Sequence, residues 1–185
     1  MLFTSGEFLF LYLPLVLAGY FAVARLFGRP LAAAWLALAS LFFYGYWRTE
    51  DVPLLVGSIA FNYLAGRYIQ LCPETRSRHR RLAMIAAVAA NLLVLAYFKY
   101  ANFLLDSAAE ITGTQPLVVD VVLPIGISFF TFTQIAYLVD SHAGKVRERN
   151  PVHYALFVTY FPHLISGPVL HHAEMMPQFA RSETY

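Results

Sequence analysis

The stretch FLFLYLPLVLAGYFAVARLF, residues 8–27, decides the fold. It carries a single charge, Arg25, close to its end. A bilayer core about 30 Å thick is crossed by roughly 20 apolar residues in a helix, and this run meets that length. It does not read as a cleaved signal. No Lys or Arg precedes it and Glu7 is its only upstream charge, whereas a secretory signal carries a basic leading region and a small-residue cleavage site. Pro14 lies inside the run, and a kink there is expected, of a kind that membrane helices tolerate.

Further apolar runs follow at residues 31–47, 52–71, 82–105, 121–139 and 152–170. Pro30 stands where a helix start suits it. The third run is interrupted by Asn62 and Arg67, the fourth by Asn91 and Lys99. Pro162, Gly167 and Pro168 break up the last, so whether it spans or re-enters is left open. Of the 185 residues, 59% are hydrophobic, 16% aromatic and only 13% charged. A soluble domain keeps about a quarter of its residues charged, because water-facing surface needs them. Open strands cannot cross lipid with unpaired backbone groups. A barrel would alternate in segments of about ten residues, and these runs are continuously apolar. The expectation is an all-α membrane protein, a polytopic transmembrane helix bundle of five or six spans.

Charge placement orients it. The first, third and fifth connections hold Arg25, Arg29, Arg67, the RSRHRR run at 76–81 and the KVRER run at 145–149. The second and fourth hold Arg48 and Lys99 against Glu50, Asp51, Asp106, Glu110 and Asp120. Short basic loops stay cytoplasmic, which puts the N-terminus outside. The lone cysteine, Cys72, then lies on the reducing side and cannot form an internal disulfide. A net charge of +2 gives no argument for nucleic acid as a partner; membrane lipid is the expected one.

The fifth run supplies the first candidate residues. Pro124 and Gly126 open it. At 100° per residue Thr133, Gln134, Tyr137 and Asp140 share a face about 120° wide. A polar stripe on a membrane helix faces protein or water rather than lipid. It either binds neighbouring helices or lines an internal cavity. In the sixth run His163 follows Pro162 directly, beside carbonyls that the proline leaves without donors, and Gly167-Pro168 should end the helix. A histidine there has a pKa suited to acid–base work, with a structural hydrogen bond as the plainer reading. His171 and His172 are adjacent and would point about 100° apart on a helix, a poor metal pair. No metal site is expected. The sequence contains no Gly-rich phosphate loop, no G-x-S-x-G and no H-E-x-x-H.

Five stretches together carry a resemblance: FLFLYLPL at 8–15, FFYGYW at 42–47, YFKYANF at 97–103, LPIGISFFTF at 123–132 and FPHLISGPVL at 161–170. Their order and spacing are similar to those of bacterial alginate O-acetylases, within the membrane-bound O-acyltransferases (MBOAT family). The resemblance covers essentially all of residues 1–185 and implies the N-terminal transmembrane part of an incomplete, longer domain. It implies an enzyme of the bacterial inner membrane, multi-pass, that moves acetyl groups onto hydroxyls of an exopolysaccharide such as alginate. The expected partners are the remainder of the acyltransferase and periplasmic polysaccharide-acetylation proteins. No bound cofactor is implied, and the donor is acetyl-CoA or another acetyl carrier. The family's essential histidine lies in a later W-H-G-type stretch that is absent here. No catalytic residue is therefore carried over, and this chain alone should be inactive. Pro124, Gly126, Pro162, His163, Gly167 and Pro168 are carried over as framework or tunnel-wall positions, beside Thr133, Gln134 and Tyr137 from the polar face. Two other readings stand against this one: a noncatalytic membrane scaffold, and a small transporter subunit suggested by the broken sixth run.

Overall fold

The computed structural model describes residues 4–113, 121–146 and 149–161, and every regular element among them is helical. A π-helical turn at Phe8–Tyr12 runs into α1, Leu13–Phe27. Pro14 sits in the first turn of α1. A proline there has no N–H to give and its ring crowds the carbonyl a turn earlier. The widened π turn just before it is the form the expected irregularity takes. Gly28 follows at positive φ (89°), open to glycine, and turns the chain into α2, Arg29–Trp47, with Pro30 in its first turn as expected.

The next helix, α3, covers Val52–Leu71 and again begins at a proline, Pro53. α4 is much longer than the run at 82–105, extending over Ser77–Thr112. At 1.5 Å per residue its 36 residues measure about 54 Å, well beyond the bilayer core. The flanking SRHRR and DSAAEIT segments continue the helix because no Gly or Pro interrupts it before Gly113, which is left-handed (φ 66°).

α5 is Ile127–His142, not 121–139. Residues 121–124 belong to no helix, and reciprocal bonds between the Asn102 amide and the Val121 backbone (2.9 and 3.3 Å) hold their start. Gly126 then adopts φ 72°, a region that costs any residue with a Cβ roughly 1 kcal/mol or more. Pro124 and Gly126 thus set where the helix begins. α6 is Pro151–Thr159, capped by the Asn150 side chain, which accepts from the Val152 N–H at 2.9 Å. It stops three residues short of Pro162, and residues 162–170 of the expected sixth span lie outside the described residues.

α1 packs on α2 and α2 on α6, while α5 packs against both α3 and α4. The α5 interface holds a core of Leu55, Leu95, Phe130, Tyr137 and Tyr154. The outside is as apolar as the inside: Phe10, Leu26, Leu93 and Ile111 are each more than two thirds exposed. On a water-soluble protein such a surface would aggregate; in a bilayer it meets acyl chains. Phe8–Phe27, α2 and α4 are each long and apolar enough to cross a membrane. This is an all-α membrane protein.

Candidate functional site

The polar stripe of α5 is buried as a unit: Thr133, Gln134, Tyr137 and Asp140 are all at most 7% exposed, while Phe132 and Val139 on the other side of the helix face outward. The hydrophobic requirement explains the register. A helix in lipid turns its apolar residues out, and its polar groups then need partners inside.

The partners come from α3. Ser58, Asn62, Gly66 and Gln70 recur every four residues and form one stripe along that helix. At its middle, Asn62 and Asn91 of α4 exchange amide hydrogen bonds: Asn62 Nδ2 donates to Asn91 Oδ1 at 3.0 Å, and Asn91 Nδ2 to Asn62 Oδ1 at 2.7 Å. Gln134 Oε1 accepts from Asn62 Nδ2 and, at 3.2 Å, from Ser58 Oγ. Three helices are therefore joined by one amide cluster. Gln134 Nε2 is buried without a hydrogen-bond partner among the described residues.

Two turns further along, Gln70 Nε2 donates to Ser141 Oγ (3.0 Å) and more weakly to Tyr137 Oη (3.4 Å). The Tyr137 ring lies 4.3 Å, centroid to centroid, from Tyr154 of α6. Past it, Arg80 at the start of α4 places Nη2 on the carbonyls of Ser141 (3.2 Å) and His142 (2.6 Å). Those carbonyls end α5 and carry the negative end of its dipole, so a guanidinium there is favoured.

Of the sequence-derived candidates, Gln134 and Tyr137 join this seam. Thr133 instead donates to its own helix at Phe130 O (2.9 Å), and Asp140 lies 3.9 Å from Lys145. Pro124 and Gly126 form the turn before α5, where Ile127 N–H bonds Pro124 O (3.3 Å). Pro162, His163, Gly167 and Pro168 lie outside the described residues. Ser58, Gln70 and Arg80 were not anticipated, although the four-residue spacing of Ser58, Asn62, Gly66 and Gln70 was readable. Among the described residues no group of three or more His, Cys, Asp or Glu side chains comes together to hold a metal.

A groove of about 390 Å³ opens beside the amide cluster, between α3, α4 and α5. Leu54, Phe61, Val94 and Phe130 line it together with the polar Ser58, Asn91 and Thr131. What the whole arrangement offers chemically is rigid support: a membrane bundle whose three central helices are fixed in register by buried amides. It contains no nucleophile–base pair among the described residues.

The chain is 40% identical, over 97% of its length, to a "Peptidoglycan O-acetyltransferase" of Helicobacter pylori. It is 42% identical, over the same share, to proteins described as "Probable alginate O-acetylase AlgI" in Pseudomonas aeruginosa and Azotobacter vinelandii. This chain is similar to proteins named as O-acetylases. The resemblance read from the five motifs therefore holds across nearly the whole chain. It spans 38%, 34% and 36% of the length of those three relatives. No protein-family model matches the chain, and no solved structure does.

Proposed function

We propose that this chain is the N-terminal transmembrane part of a membrane-bound O-acyltransferase that transfers acetyl groups to hydroxyls of a polysaccharide outside the cytoplasm. The observation that carries the reading is 34–42% identity, over 97% of the chain, to proteins named as alginate or peptidoglycan O-acetylases. The acceptor is a surface glycan, an exopolysaccharide such as alginate being the first to try. The donor is acetyl-CoA or another acetyl carrier, and periplasmic acetylation proteins receive or pass on the group.

In this reading the residues described here bind no reacting atom. They hold the bundle against which the rest of the enzyme, with its histidine general base, is assembled. The protein lies in the bacterial inner membrane and crosses it several times. Its N-terminus is outside and the basic 76–81 and 145–149 segments are inside, as the distribution of Lys and Arg supports.

Two measurements test this. The encoding reading frame, followed past codon 185, should supply a histidine in a W-H-G-like membrane segment; a frame without one removes the enzyme reading. Alkaline phosphatase fused at Gly113 should be active and at Arg78 inactive; the reverse pattern overturns the orientation.

A further inference from the structure

We propose that the groove between α3, α4 and α5 is the seat of a membrane helix from the remainder of the longer protein, docked with a hydrogen-bond acceptor facing Thr131. This deepens the reading above and rests on it, since the relatives are far longer than the part matched here.

Three observations select a helix over lipid. Small residues line the groove, Gly57 on α3 and Ala90 on α4, and a Cβ built on Gly57 meets nothing within 4 Å. Helices in membranes come together at small residues, because lipid gives no hydrophobic drive and close backbone approach must supply the attraction. Second, Thr131 is only 2% exposed and lines the groove, yet its hydroxyl makes no hydrogen bond among the described residues. A hydroxyl facing hydrocarbon without a partner costs free energy. The tail of an acyl chain offers it no acceptor, whereas a helix bearing Asn, Gln, Ser or a freed carbonyl does. Third, Ser58 and Asn91 reach the groove while bound into the amide cluster. A helix seated there would shield from lipid the polar groups that lock α3, α4 and α5 together.

The test uses the full-length protein in native membranes, with a photoreactive benzoylphenylalanine in place of Phe61, which stands at the groove and is 46% exposed. The expected product is a crosslink within one polypeptide to a membrane segment outside residues 1–185. Gly57→Leu should abolish that crosslink, since leucine fills the recess without harming an α-helix. Thr131→Val should weaken it and Thr131→Ser should preserve it, which separates loss of the donor from loss of packing. Adducts with lipid only, a crosslink between two copies, or a crosslink unchanged by Gly57→Leu would each overturn the proposal. The acetyltransferase reading fails separately. A protein that gives the crosslink but transfers no acetyl sinks that reading alone, and an active enzyme with lipid adducts sinks the docking site alone.

Discussion

Gly66 of α3 and Tyr137 of α5 approach so closely that the absence of a side chain at 66 is what lets the two helices meet. A Cβ placed on Gly66 would lie 2.3 Å from Tyr137 Cε1. The tyrosine has nowhere to retreat, being fully buried with the Tyr154 ring 4.3 Å away. Gly66→Ala should therefore destabilise the protein by about 1–3 kcal/mol, the usual cost of overpacking. Thermal unfolding of the full-length protein in detergent reads it directly. The control is a Tyr137→Ala background, in which the ring that the new Cβ would meet is gone and Gly66→Ala should cost clearly less. Equal losses in the two backgrounds would show that the cost lies in helix propensity or the membrane setting rather than in Tyr137.

The Asn62–Asn91 pair makes a different demand. Replacing either by leucine strands the other's amide in the bundle, and Asn62→Leu also removes the donor to Gln134 Oε1. Each single change should cost about 1–2 kcal/mol, whereas interhelical hydrogen bonds in membranes average about 0.6 kcal/mol. The double change should cost clearly less than the sum, because both orphaned amides vanish together. Additive losses in a double-mutant cycle would show that the two asparagines do not act as a pair.

Gly126 is fixed by backbone geometry. At φ 72° it starts α5. Gly126→Ala should cost roughly 1–2 kcal/mol, and Gly126→Asn less, because asparagine tolerates the left-handed region. An alanine variant that melts with the parent would mean α5 starts elsewhere.

Arg80 ties the basic 76–81 segment to the end of α5 by holding the carbonyls of Ser141 and His142. Arg80→Met should loosen the end of α5, seen as faster hydrogen exchange at the amides of Ala143 and Gly144, which bond back to Val139 and Ser141. Exchange near Leu55 and Leu95, deep in the core, should stay as it was. Unchanged protection at 143–144 would show that the capping bond contributes nothing in the membrane.

Much of this was legible in the residues. The apolar runs fixed which segments are helical, since their length and continuity leave no other structure that satisfies the backbone in lipid. The polar face of α5 was readable from its spacing, but its use was not. Whether Gln134 lines a cavity or grips a neighbour depends on what α3 presents opposite, and periodicity on one helix cannot say which helix lies across from it. Helix ends escaped for another reason. Hydropathy marks where lipid ends, not where hydrogen bonding ends, so α4 outran its apolar run. α5 began late because a left-handed glycine, invisible to hydropathy, intervened at 126.

The most direct test of the account is to delete the complete reading frame that encodes this chain and to measure ester-linked acetyl on the cell's exopolysaccharide and cell-wall glycan. The account predicts that O-acetyl is lost from one of them and returns when the full-length frame, but not residues 1–185 alone, is supplied again. Unchanged acetylation of both glycans in the deletion strain would contradict it.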